Sequence, residues 1–285
     1  MELIFISPQL FIVLQRATLC VPVQLIKYAH ANKLQKALGL YLLLKASCDG
    51  HAEFNHDWKA FLMNTLDIKT TRSFNKYMSM LINENWVGLD KKSNTVYIRS
   101  FKWLRMKYGL YEPSIVEFDV VEDARHIVDF ISSTILCFEI KRREHARRAV
   151  IIKKAGRSAL KNESALQVLK AKKYITAYIG ISLEKLGQLW NVSKSQADRI
   201  KNRLIRLNYI RRKKHYEVIQ TLNSPDFSLF RHLPANRRYD VKKRKSKGAT
   251  VYLFRERTFD EIISCMRFSS QKAVIRALKN RLVRA

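Results

Sequence analysis

The chain has 285 residues with 54 Lys and Arg against 24 Asp and Glu, a formal net charge of +30, and a hydrophobic share of 47% that provides apolar surface for folded cores. That length accommodates two or three domains. Residues 1–140 hold 16 basic and 14 acidic side chains and residues 141–285 hold 38 and 10. A near-neutral half joined to a strongly basic half points to a polyanionic partner, most often nucleic acid, and away from a metabolic enzyme of small neutral substrates.

The first residues, Met1 to Ile6, are apolar but are interrupted at Ser7, Pro8 and Gln9 and ended by Arg16. They lack a basic leader region, so a packed strand or helix is expected rather than a signal peptide or a membrane span. With no apolar run of 18 residues, the expectation is a soluble, cytoplasmic and nucleoid-associated protein with no membrane partner. Cys20, Cys48, Cys137 and Cys265 form no CxxC pair, which fits small core residues in a reducing compartment.

In chain order, Leu34–Ala46 predicts a buried helix, and Asp57–Leu66 a second one capped by Asp57. Thr70 or Thr71 caps a third helix to about Glu84, with Phe74, Tyr77, Met78, Leu81 and Ile82 on one face. Trp86–Leu89 and Thr95–Ile98 alternate as two short strands around a Lys91–Asn94 turn. Glu122–Phe138 predicts a helix, and Lys141–Lys161 a basic helix or linker. Leu166–Tyr178, Leu183–Trp190 (capped by Ser182) and a helix from Ser193 to about Leu207 follow. Tyr209–Ile210 and Tyr216–Thr221 then flank Arg211–His215 as strand, hairpin tip and strand. Beyond, Asn223–Gly248 reads as a basic loop, Val251–Phe254 as a strand, and Thr258–Glu261 as a capping box opening a helix to about Met266. Ser269 caps a last helix.

The two units can be superposed in sequence. Leu81-Ile82-Asn83-Glu84-Asn85-Trp86-Val87 matches Leu204-Ile205-Arg206-Leu207-Asn208-Tyr209-Ile210 at an offset of 123 residues, and Thr70 matches Ser193 at the same offset. The expected fold is mainly α with small β-hairpins (α+β): a near-neutral unit over 1–110, a helical and basic linker over 111–162, a second unit over 163–222, and a basic C-terminal extension over 223–285 with a possible wingless helix-turn-helix. Helix, helix, helix, hairpin is the order of a winged helix.

The helix Ser193–Leu207 concentrates the candidate binding residues. Lys194, Ser195, Gln196 and Arg199 are candidates for reading base edges. Asn202, Arg203 and Arg206, with Arg211, Arg212, Lys213 and Lys214 of the expected hairpin, are candidates for phosphate contact. Thr71, Arg72, Ser73, Asn75 and Lys76 form the corresponding face of the first unit, which could meet DNA or a second copy of the chain. Lys242, Lys243, Arg244, Lys245 and Lys247 are a basic tail. Catalytic signals are weak. Cys48, His51 and His56 do not have a zinc spacing, and His145 with Arg148 and a nominal Tyr174 or Tyr178 is a cheap match to a recombinase site. No phosphate loop occurs, so no catalytic residue, metal or cofactor is expected.

On these residues the chain resembles tandem winged-helix DNA-binding proteins, and among them the replication initiators of plasmids and phages. The resemblance covers residues 34–100 and 163–221. It implies a first unit that serves dimerisation or regulation and a second that binds duplex DNA through Ser193–Leu207 and Arg211–His215. The expected function is sequence-preferring double-stranded DNA binding, as an initiator or a transcription regulator. The alternatives are an RNA-binding ribonucleoprotein component and, further off, a nuclease or recombinase.

Overall fold

A computed structural model of the chain describes residues 2–7, 10–14, 18–48, 50–53, 55–90, 92–172, 181–222, 239–246 and 249–270. The protein is mixed α+β: helices predominate, and the strands among the described residues form four small antiparallel sheets.

The hairpin β1 (Glu2–Ser7) and β2 (Leu10–Leu14) precedes β3 (Thr18–Pro22), which buries Leu19 and Val21. Helices α1 (Val23–Ala31) and α2 (Gln35–Ser47) follow. From Ala37 to Leu44 every residue of α2 is buried, as an unbroken apolar run requires, and α2 is the axis of the first core. Next come β4 (His51–Glu53), α3 (His56–Thr65), α4 (Thr71–Asn83), β5 (Val87–Asp90) and β6 (Thr95–Ile98), with β6 pairing to both β4 and β5. Asn55, rather than the expected Asp57, caps α3 by accepting from Trp58 N at 2.8 Å. Thr70 caps α4 as expected, accepting from Ser73 N at 3.2 Å.

Helix α5 (Phe101–Lys107), β7 (Ser114–Asp119), α6 (Val120–Asp123) and α7 (Ile127–Ala155) lead to the second half. The 29 residues of α7 span about 44 Å at the α-helical rise. Its apolar start belongs to both cores: Ile127, Phe130, Ile131 and Ile135 pack in the first, and Leu136, Cys137 and Ile140 in the second. At Gly39 an added Cβ would lie 3.0 Å from Ile127 and from Leu66, so glycine is what lets α2 sit against α7. The later part of α7 is the basic run read from sequence as a helix or linker. A 3-10 turn (Arg157–Leu160), α8 (Glu163–Ala171), α9 (Leu183–Trp190) and α10 (Lys194–Arg206) follow, then β8 (Ile210–Leu222), β9 (Tyr239–Ser246), β10 (Ala249–Ser264) and β11 (Phe268–Ser270).

Four expectations from sequence are corrected here, the first being the loop over Asn223–Gly248, of which Tyr239–Ser246 is strand β9, paired with β10. Arg211–His215 is not a hairpin tip: it lies inside β8, a continuous strand paired with β10. Thr258–Ser264 is strand rather than helix, because residues 259–264 pair with residues 210–215 and the capping-box signature is overridden by that pairing. Ser269 lies in β11, paired to β7, and the rest of the expected last helix, 271–285, is outside the described residues. The first helix of the proposed wingless pair is therefore absent. Of Leu166–Tyr178, the structure describes α8 and not residues 173–180.

The two halves are joined by a polar junction under α7. The indole Nε1 of Trp190 donates to the Ser132 carbonyl at 3.0 Å, and the Tyr209 hydroxyl donates to Asp123 Oδ1 at 2.7 Å. Arg203 Nε donates to Asp129 Oδ1 at 2.5 Å. The sheet β11-β7-β3 adds a backbone link between residues near both ends of the described chain. Both carboxylates are nearly buried, and each is hydrogen-bonded, as a buried charge must be.

Two predictions follow from this junction. Trp190→Phe removes the indole donor and part of a buried ring, and urea unfolding should show a loss of about 1–3 kcal/mol; an unchanged midpoint contradicts the assigned contact. Burial pushes the Asp123 carboxyl up to about 6, only partly offset by the bonds from Tyr209 and the Asp119 amide. The folded state therefore keeps a proton that the unfolded chain releases near pH 4, and stability declines as pH rises through roughly 4 to 6. Relative to Asp123→Asn, the unaltered chain should lose about 2–3 kcal/mol between pH 4 and 7. Parallel stability profiles for the two proteins would contradict this.

Candidate nucleic-acid interface

Helix α9 begins at Ser182, whose Oγ accepts from Lys185 N at 3.2 Å, and buries Leu186 and Trp190. It ends at Asn191 in the left-handed region (φ 52°), which Asn tolerates better than most residues. Val192 N then donates to Gly187 O at 2.9 Å. A Cβ on residue 187 would lie 2.8 Å from Val192 O, so this close turn depends on glycine. Ser193 opens α10 with a capping box: its Oγ accepts from Gln196 N at 3.3 Å while Gln196 Oε1 accepts from Ser193 N at 3.4 Å.

Helix α10 buries Ala197 and Leu204 and half-buries Ile200. At 3.6 residues per turn the opposite stripe is Ser195, Arg199, Asn202 and Arg206, and all four are exposed. Arg199 and Arg206 make no hydrogen bond or ion pair among the described residues, so their guanidinium groups face solvent.

The structure separates the residues that sequence had grouped. Of the four candidates for base reading, Ser195 and Arg199 are on the outer stripe. Gln196 is used in the capping box, and Lys194 pairs with Glu184 of α9 at 3.0 Å. Of the phosphate candidates on the helix, Arg206 and Asn202 face out, the latter donating to Asp198 at 3.1 Å. Arg203 is half exposed but paired with Asp129 of α7. Asp198 is also bonded by Lys201 at 2.6 Å, which holds its carboxyl below the usual range, and Arg212 of β8 adds to that effect. The single acid of this helix face is therefore locally compensated.

On β8, Arg211 to Lys214 are all exposed, but the register sets Lys213 opposite Glu261 and Lys214 opposite Asp260. His215 contacts Glu261 at 2.8 Å. The expected acid-free cluster thus has acidic cross-strand neighbours, invisible to sequence because they lie some 46 residues downstream. Lys242, Lys243 and Arg244 are exposed on β9, opposite Leu253, Tyr252 and Val251. Lys245 lies in the same strand, and Lys247 is outside the described residues. Counted along β10 at the usual strand rise, the centres of the two basic blocks lie about 31 Å apart.

In the first unit Thr71, Arg72, Asn75 and Lys76 are exposed on α4, and Ser73 is half-buried and bonded to Thr70. The sequence match at offset 123 has a geometric counterpart. Asn85 and Asn208 both adopt positive φ (56° and 58°), and Trp86 N→Leu81 O at 2.9 Å corresponds to Tyr209 N→Leu204 O at 3.1 Å. The α3–α4 turn also resembles the α9–α10 turn, with Asp67 (φ 53°) in the place of Asn191 and one more residue before the cap. The units part where the strands begin: β5 and β6 form a local hairpin, whereas β8 finds its partner in the distant β10.

The Cys48 thiol donates to Leu44 O, and His56 is almost wholly exposed beside Asp57. Among the described residues no group of three His, Cys, Asp or Glu side chains could hold a metal ion. His145 is exposed on α7, Arg148 pairs with Glu144, and Tyr174 and Tyr178 lie outside the described residues. No helix among the described residues is long and apolar enough to cross a membrane. Comparison with protein-family models, with curated proteins and with solved structures finds no match for this chain.

Proposed function

We propose that this chain is a non-enzymatic, sequence-preferring duplex DNA-binding protein that acts as a replication initiator of a mobile element or as a transcription regulator. The observation that carries the reading is the outer stripe of α10, Ser195–Arg199–Asn202–Arg206, presented beyond a tight turn and free of the core. In this reading β4, α3, α4, β5 and β6, together with α2, are one winged helix. The α9–α10 pair with β8 and β10 is a second, whose wing is elongated and carries β9 as an added strand. Helix α10 enters the major groove by its N-terminal end. Arg199 offers a bidentate donor to a guanine edge, Ser195 a hydroxyl to a neighbouring base, and Arg206 a charge to phosphate. Arg211 to Lys214 then lie at the base of the wing, next to α10, rather than at its tip.

Selection of bound duplexes from a random pool tests this. Arg199→Ala should relax preference at one base position, with a cost of about 1–3 kcal/mol for the selected site. Arg211→Ala with Lys213→Ala should weaken all duplexes by a similar factor. Identical effects of the two variants would contradict the division of roles. Folded RNA that outcompetes the selected duplex would favour a ribonucleoprotein component instead.

A further inference from the structure

The neutrality of the first half is an average of two unlike regions. Residues 112–139 hold seven of its acids, and residues 91–111 hold six Lys and Arg with no Asp or Glu. Three of these acids reach the second half, through Asp123–Tyr209, Asp129–Arg203 and Glu117–Arg267. Of these cations, Arg99, Lys102, Arg105 and Lys107 lie on or just before α5. The Arg99 guanidinium lies 5.1 Å from the centre of the Trp103 ring, and Lys107 Nζ lies 5.4 Å from the same ring and 5.0 Å from that of Tyr108. Lys107 is further fixed by donating to Glu84 O at 2.6 Å. Lys102 is exposed on the outer side of the helix. Among the described residues no carboxylate is within ion-pair distance of Arg99 or Lys102. Arg105, by contrast, turns toward the Leu110 and Glu112 carbonyls.

We propose that Arg99 and Lys107, held against the Trp103 ring, together with the exposed Lys102 beside them, form a second phosphate-contacting patch on the first unit, which grips the backbone of duplex DNA. This rests on the DNA-binding reading above and moves the first unit's contact from α4 to α5. Rings that hold cations in place before binding lower the ordering cost of the contact. A patch of charge without base-reading amides suits a backbone rather than a sequence.

The test uses the full chain and a random-sequence duplex longer than the protein, titrated across salt. Arg99→Gln with Lys102→Gln should weaken binding and make the slope of log K against log salt shallower by about 1 to 2. The control removes equal charge elsewhere in the first unit, Lys33→Asn with Lys69→Gln, and should leave the slope unchanged. A double variant indistinguishable from the control overturns the patch while leaving the α10 reading intact. If the double variant keeps its duplex binding but loses binding to polyglutamate, the patch is a protein-docking surface and the proposal falls. An unaltered chain that binds no duplex overturns both readings.

Discussion

The arrangement depends on how two buried carboxylates, Asp123 and Asp129, are satisfied. Neither can remain charged in a core without donors, and the donors come from the other half of the chain, as Tyr209 and Arg203. Arg203 therefore ties α10 to α7 from the edge of their contact, with its side chain still half exposed. Since α10 turns once every 3.6 residues, burying Ala197 and Leu204 turns Ser195, Arg199, Asn202 and Arg206 outward, and Arg203 bridges to α7 from the flank of that stripe. The ion pair thus helps to hold α10 against α7, while the buried Ala197 and Leu204 set the face it exposes. At Asp123 burial outweighs the bonds from Tyr209 and the Asp119 amide and holds the carboxyl above the usual range.

The same junction redistributes charge. Seen by halves, the chain has a neutral part and a basic part. Seen in the fold, Glu117, Asp123 and Asp129 of the first half meet Arg267, Tyr209 and Arg203 of the second, and Arg99, Lys102 and Lys107 lie on and beside α5. On β8 the reverse holds, because cations that looked unopposed run beside Glu261 and Asp260. Net charge by segment is therefore a poor guide to where a polyanion would lie, and the exposed stripe of α10 and the α5 patch are the better candidates.

The local signals were legible. Thr70, Ser182 and Ser193 stand out as caps because a hydroxyl precedes an apolar periodicity, and each caps a helix. The repeat at Leu81–Val87 and Leu204–Ile210 was visible because one turn geometry demands one pattern: two apolar residues, an Asn able to take positive φ, then an aromatic. Long-range pairing was not legible. Arg211–His215 breaks the apolar alternation of a strand, and what makes it one is β10, about 50 residues away. Thr258–Glu261 carries the signature of a helix start, yet β8 claims it. Gln196 illustrates a subtler limit: its type suits base reading, but its spacing from Ser193 also suits a capping box, and only the coordinates separate the two.

The central claim is that the outward-facing cations meet DNA phosphate. It is tested most directly by titrating the unaltered chain with its best selected duplex over a range of salt. If about five phosphates are neutralised, log K should fall against log salt with a slope near −4 to −5. A slope close to zero, with binding retained at high salt, would contradict the account.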